Sequence, residues 1–123
     1  MADDIRREIT IQGSIQEVWR AVTEDLGAWL AADVEVEARV GRPISVRWPD
    51  GTTSRGLVEV VEPPRRFAFR WRWIADDVDG IRIGEPTRVQ LVLHDAGEGR
   101  TLVAVTESEA PLPDRPLALS RCA

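Results

Sequence analysis

The sequence predicts an α+β fold, an antiparallel sheet with two short helices inserted after its first strand. Three observations support this prediction. Apolar and polar residues alternate over residues 5–11, apolar residues with helical spacing follow over residues 14–30, and from residue 34 onward alternating segments are separated by turn residues. With a length of 123 residues, the chain is predicted to form a single domain.

The first strand is predicted over residues 5–11, and its isoleucines lie on one face. Ser14 and Glu17 then have the spacing of a capping box, in which each side chain satisfies a free backbone amide at the start of a helix. The apolar stripe of this helix is formed by Ile15, Val18, Trp19 and Val22. A second short helix is predicted near Gly27, from the apolar residues Leu26, Trp29 and Leu30.

A meander of strands is predicted after the helices. The predicted strands cover residues 34–37, 44–48, 54–62, 66–73, 87–94 and 101–107. Pro49-Asp50-Gly51 is a strong hairpin signal, and Gly56 is expected to mark a bulge. Residues 76–86 are predicted to form a polar loop, and Trp48, beside the hairpin turn, is expected to be peripheral.

The strand over residues 66–73 is the most informative part of the chain. Pro63 and Pro64 lack backbone N–H donors, so the ladder must break between Glu62 and Arg65. One face of the strand then carries Phe67, Phe69, Trp71 and Trp73, and the other carries Arg66, Ala68, Arg70 and Arg72. An aromatic face of this kind forms either a thick core or the wall of an apolar cavity.

Composition and charge exclude several classes of function. The net charge of −5 argues against nucleic-acid binding and against a general attraction to anionic membranes. The first eight residues lack the apolar segment of a signal peptide, and no apolar run is long enough to insert into a membrane. The only cysteine, Cys122, has no partner for an intrachain disulfide. These observations predict a cytoplasmic protein.

A series of short motifs extends along most of the chain. The motifs are Ile15-Gln-Glu-Val-Trp-Arg-Ala-Val-Thr23, Trp29-Leu30, Val40-Gly41, Asp50-Gly51, Gly56-Leu-Val-Glu-Val60, Glu62-Pro-Pro-Arg-Arg66, Phe69-Arg-Trp71 and Val105-Thr-Glu-Ser108. In order and spacing they resemble the SRPBCC, or START-like, superfamily. More narrowly, they resemble its branch related to the C-terminal domain of the activator of Hsp90 ATPase. The resemblance covers the chain from Ile5 to Pro113, and its most specific piece is the Glu-Pro-Pro-Arg-Arg turn.

The resemblance implies a helix-grip fold, in which an antiparallel sheet curls around a long C-terminal helix with an apolar cavity between them. Only ten residues follow Pro113, and Pro116 is among them, so this helix is expected to be shortened or absent. An apolar face exposed for this reason would be covered by homodimerisation. The alternative is a truncated chain of marginal stability.

The tryptophans are the best candidates for a binding site. Trp19 and Trp29 belong to the predicted helices and would face the aromatic strand across a pocket that suits a small hydrophobic or lipid-like ligand. The predicted ligand-binding residues are Trp19, Trp29, Phe67, Phe69, Trp71 and Trp73. The alternative is that these side chains simply fill the core.

Few residues are suited to catalysis. His94, the only histidine, and Glu107, in the final strand, are the candidate general acids or bases, although a solvated histidine and a surface carboxylate are the commoner situations. No second histidine or cysteine supplies metal-ligand spacing, so neither a metal site nor a cofactor is predicted.

Three functional classes stay open. The resemblance most directly implies a module that binds a small hydrophobic ligand. An enzyme of the cyclase, aromatase or hydrolase kind would need an acid or base inside the cavity. A protein-interaction domain like the chaperone-activating relatives would use the face of Arg70 and Arg72, which either form cross-strand ion pairs or dock an acidic partner.

Overall fold

The computed structural model describes residues 5–110, except the side chain of Asp77, and these residues form one curled antiparallel sheet with two helices. The helices are α1 (Ile15–Glu24) and α2 (Leu26–Leu30). The strands are β1 (Ile5–Gln12), β2 (Asp33–Val36), β3 (Pro43–Arg47), β4 (Thr53–Glu62), β5 (Arg66–Asp77), β6 (Gly80–Ile83), β7 (Thr87–Gly97) and β8 (Arg100–Glu109). The predicted helix-grip order, one strand, two short helices and a meander, is confirmed.

The strands lie in the order β1-β8-β7-β5-β4-β3-β2, and β6 pairs with β5 beside this path. Because paired residues in an antiparallel sheet point to the same side, the register divides the sheet into two faces. We call the face that carries Phe67, Phe69 and Trp71 the inner face, and the face that carries Arg70 and Arg72 the outer face. The core lies against the inner face.

Helix α1 begins as the sequence predicts. The N–H of Glu17 donates to Ser14 Oγ over 3.2 Å, and the N–H of Ser14 donates to Glu17 Oε1 over 2.8 Å, so both halves of the capping box form. Val18 and Val22 project from this helix into the core, where Leu26 of α2 joins them. The two helices therefore cover one part of the inner face.

The turn that precedes the aromatic strand also forms as predicted. The ladder between β4 and β5 ends at Glu62 and Arg66, and Arg65 N–H donates to Glu62 O across the turn over 2.8 Å. The Pro63–Pro64 peptide bond is cis. The expectation that Gly56 marks a bulge is wrong: Gly56 stays in register opposite Trp71, where the close approach of β5 requires a glycine, and the register shifts between Val58 and Val60 instead.

The predicted polar loop over residues 76–86 is wrong in its first part. β5 continues to Asp77 and pairs with β6, so that Ile74 lies opposite Ile83 and Asp76 lies opposite Ile81. Gly80, with a φ of +117°, adopts the conformation that the tight turn between these strands requires. This hairpin lies at the margin of the sheet, where its side chains stay exposed. Acidic residues are therefore tolerated in it, and the sequence pattern does not reveal the strands.

The expected shortening of the C-terminal helix concerns residues 111–123, which lie outside the described residues, as does Cys122. In the range 5–110, neither helix has the length and apolar character needed to cross a membrane.

Candidate ligand-binding site

The aromatic residues of β5 lie on the inner face but differ in accessibility. Phe67 and Phe69 are 0% exposed and Trp71 is 8% exposed, whereas Trp73 is 40% exposed. Successive rings contact each other, with centroids 5.7 Å apart for Phe67 and Phe69 and 4.8 Å apart for Phe69 and Trp71. The two phenylalanines thus fill the core, and only the tryptophan end of the row is accessible.

The helical tryptophans occupy different positions. Trp19 packs edge-on against Phe67, with ring centroids 6.3 Å apart, and so continues the core. Trp29 borders a separate small cleft of about 190 Å³ between β1 and α1, where Ile11 and Val18 are its apolar neighbours. The structure therefore does not bring all six predicted binding residues to one cavity.

Trp48 is not peripheral, contrary to the sequence prediction. Its ring packs edge-on against Trp71 at a centroid distance of 5.8 Å, and its Nε1–H donates to Ser54 Oγ over 2.9 Å. The alternation of the strand could have predicted this position, because Trp48 lies on the same parity as Ile44 and Val46, which are both buried. The turn after Trp48 folds the chain back, so that the indole covers the end of the aromatic row.

A polar cluster interrupts the inner face beside Trp71. Glu107 of β8 is half-buried, and its Oε2 accepts hydrogen bonds from Thr87 Oγ1 over 2.8 Å and from Trp71 Nε1 over 3.4 Å. In the sheet register Glu107 lies between two apolar residues, Ile5 of β1 and Val89 of β7. The cluster therefore places a carboxyl group between apolar residues of the neighbouring strands, on a part of the inner face that also carries Arg7 and Glu109. Sequence reasoning found Glu107 but missed Thr87.

The second catalytic candidate lies elsewhere. His94 is exposed on β7, opposite Leu102, on the outer face, whereas Glu107 is on the inner face. The sheet therefore separates the two candidate groups. Among residues 5–110, no three histidine, cysteine, aspartate or glutamate side chains come close enough together to hold a metal ion.

On the outer face the arginines pair with acidic neighbours. Glu59 accepts a hydrogen bond from Arg88 Nε over 2.8 Å, and its other carboxylate oxygen lies 3.2 Å from Arg70 Nε. The predicted cross-strand ion pair is thus confirmed for Arg70, whereas it is wrong for Arg72, which lies opposite Arg55. Arg66 Nε donates to Gln90 Oε1 over 2.7 Å and its guanidinium also approaches Glu62.

Hydrogen bonds from the chain lower the pKa of two exposed carboxyl groups. The backbone N–H of Ser14, and then its hydroxyl, lower the pKa of Glu17 below its ordinary value of 4.5. The hydroxyl of Thr52, and then its backbone N–H, lower the pKa of Asp50 below its ordinary value of 3.8. Both groups stabilise local turns and lie away from the polar cluster on the inner face.

The fold agrees with the comparison to known proteins. Residues 12–120 match the family described as Activator of Hsp90 ATPase homolog 1-like protein. The chain belongs to this family. The match confirms the resemblance to the Hsp90-activator branch of the SRPBCC superfamily. No curated protein has a significantly similar sequence.

Several solved structures are similar to this member of the family. DynU16, from the dynemicin biosynthetic locus, has a TM-score of 0.70 and 26% identity, over 98% of this chain and 42% of its own. Protein MLL2253 from Mesorhizobium loti has a TM-score of 0.72 and 20% identity, over 96% of this chain and 84% of its own. PFC0360w, an Hsp90 activator from Plasmodium falciparum, has a TM-score of 0.62 and 18% identity, over 99% of this chain and 84% of its own. The chain thus spans less than half of DynU16, and the other two similarities support the fold alone.

Proposed function

We propose that the protein binds a small, largely apolar molecule on the inner face, with Glu107 as its hydrogen-bonding anchor. The observation that carries this proposal is the position of the carboxyl group between apolar neighbours, with Thr87 and Trp71 as its donors. Membership of a family with a ligand-binding fold is consistent with it.

The hydrogen bonds of Glu107 define what a ligand would supply. Both described bonds end on Oε2, and within residues 5–110 neither Thr87 nor Trp71 donates to Oε1. A ligand with one N–H or O–H donor and an apolar body would satisfy Oε1 and cover the neighbouring surface.

The apolar part of the site comes from the tryptophan end of the aromatic row and from the edge strand. Trp73 is 40% exposed and offers flat aromatic surface, and Ile5 and Ile9 of β1 are both half-exposed. Aromatic and aliphatic walls with few polar groups are typical of sites for small apolar ligands. The buried Trp71, Phe69 and Phe67 continue the aromatic row into the core.

The test is a fluorescence titration with N-phenylnaphthylamine, an apolar fluorophore that carries one N–H donor. We expect saturable binding to the unmodified protein and binding weaker by about tenfold in Glu107→Gln, because a hydrogen bond to a charged group contributes about 1.5–3 kcal/mol. Glu8→Gln is the matched control, since Glu8 lies on the outer face of β1. Equal affinity in both variants, or no saturable binding, would contradict the proposal.

A catalytic role is the less supported alternative. The sheet separates His94 from Glu107, so an acid–base pair of these two groups has no support in the geometry. Homodimerisation stays a prediction, favoured by the half-exposed Ile5 and Ile9 on the edge strand. A second copy bound there would compete with the fluorophore, so that the affinity would fall as protein concentration rises.

A further inference from the structure

We propose that the outer face of β4 and β5 carries a docking groove for an acidic peptide segment that also presents an apolar side chain. The groove is open, has a volume of about 540 Å³, and is lined by residues of both strands and of the turn that precedes β3. Its principal side chains are Val40, Arg55, Leu57, Glu59, Arg70 and Arg72. It lies on the face opposite Glu107, and Trp71 of β5 borders both the groove and the ligand site.

Two arginines of the groove, Arg55 and Arg72, form no ion pair in the described part of the chain, whereas Arg70 is paired with Glu59. Arg55 of β4 lies directly opposite Arg72 of β5 in the register, and like charges in this position destabilise a sheet. Glu59 is the only acidic residue in the described lining of the groove, and it already accepts a hydrogen bond from Arg88 Nε. The groove therefore carries an excess of positive charge in a chain whose net charge is −5.

Arg70 is held in the groove by its ion pair with Glu59. Its Nε lies 3.2 Å from Glu59 Oε2, within ion-pair distance. The same Nε is buried and makes no hydrogen bond in the described part of the chain, because distance alone does not give the alignment that a hydrogen bond needs. Because this Nε is buried against Glu59, a carboxylate from outside would bind the remaining N–H groups of the Arg70 guanidinium and those of Arg55 and Arg72.

The groove also offers apolar contacts. Leu57 is 53% exposed in the middle of β4, and Val40, beside it, is 64% exposed. Exposed apolar side chains bordered by arginines match a segment in which carboxylates alternate with apolar residues. The negative net charge of the whole chain disfavours a polyanion such as nucleic acid, which would be repelled outside the groove.

The experiment is a titration of the isotope-labelled protein, followed by amide chemical shifts, with a peptide of alternating glutamate and leucine. A peptide with glutamine in place of glutamate is the control. We expect the acidic peptide to shift amides of β4 and β5 around the groove and to bind at least tenfold more tightly than the glutamine peptide. We also expect its affinity to fall as salt is added.

Two variants separate docking from folding. Arg72→Gln removes one member of the like-charge pair, so we expect severalfold weaker peptide binding with an unchanged or raised melting temperature. Arg100→Gln, at the first residue of β8, makes the same charge change outside the groove and should leave binding unchanged. Equal binding of both peptides, no shifts at millimolar peptide, or equal effects of the two variants would overturn the proposal. Tighter binding of a single-stranded oligonucleotide, or self-association abolished by Arg72→Gln, would also overturn it.

Discussion

At the scale of single residues, Gly56 is the position at which the sheet has least room for a side chain. A Cβ built on Gly56 would lie 1.7 Å from the carbonyl oxygen of Arg70, on the backbone of the neighbouring strand. Backbone cannot move aside as the end of a flexible side chain can. Gly56 is therefore required by close packing between β4 and β5, in the same region that forms the groove.

We predict that Gly56→Ala lowers the free energy of unfolding by at least about 3 kcal/mol, because the added methyl group forces the two strands apart. Gly84→Ala is the matched control, since its Cβ would make only an ordinary contact with Trp73 at 3.5 Å. Urea unfolding measures both variants. Similar midpoints for the two variants would show that β4 and β5 are not packed as described.

At the scale of elements, the start of α1 depends on a charge. Glu17 accepts a hydrogen bond from the backbone of Ser14, and its pKa in the folded state is below 4.5. A carboxyl group with a lowered folded-state pKa stabilises the fold above its unfolded pKa, and this contribution is lost as the pH falls through the folded value. The capping box should thus weaken on acidification.

We predict that Glu17→Gln lowers the melting temperature at pH 7, and that the difference from the unmodified protein shrinks as the pH falls below 4.5. Glu24→Gln, in the last turn of the same helix, should not lower stability, because a negative charge there opposes the helix dipole. Thermal melts over a range of pH give both results. A Glu17→Gln difference that is constant with pH would contradict this account of the cap.

The hairpin of β5 and β6 is the least supported element of the described sheet. β6 pairs only with β5, and its isoleucines, Ile81 and Ile83, are exposed. We predict that the amides of β6 exchange with solvent much faster than those at the centre of β7, which is paired on both sides. Ile81→Ala should change stability by less than about 0.5 kcal/mol, whereas Leu91→Ala, in the core, should cost about 2–5 kcal/mol. Equal protection of the two strands would be inconsistent with a marginal β6.

The sequence predicts the elements whose signals are local. The capping box of Ser14 and Glu17, the turn at Pro63 and Pro64, and the alternation of the aromatic strand are all contained within a few residues, and each forms as predicted. The β6 hairpin was missed because its segment is rich in acidic residues and lacks a strand pattern. It becomes a strand only by pairing with the end of β5 at the margin of the sheet.

The candidate site is less predictable than the fold. Glu107 meets Thr87 and Trp71 across 20 and 36 residues of sequence, and these contacts depend on the register of three strands. Hydrophobic pattern gives the face on which a residue lies but not which residues become neighbours. Trp48 shows the same limit, because its contact with Trp71 follows from the path of the intervening turn.

At the scale of the whole molecule, the sheet separates two chemically different surfaces. The inner face combines aromatic surface with the carboxyl group of Glu107, and the outer face combines Leu57 with the arginines of the groove. A substitution in one surface that does not involve Trp71, which borders both, should leave binding at the other unchanged. Arg72→Gln is accordingly a second control for the ligand site.

The measurement that tests the ligand site most directly is native mass spectrometry of freshly purified, undialysed protein, compared with its denatured mass. We predict a reproducible extra mass that is lost in Glu107→Gln and kept in Arg72→Gln, and the same spectrum gives the oligomeric state. A chain that carries no extra mass, or an extra mass that Glu107→Gln retains, would contradict the assignment of Glu107 as the anchor of a ligand.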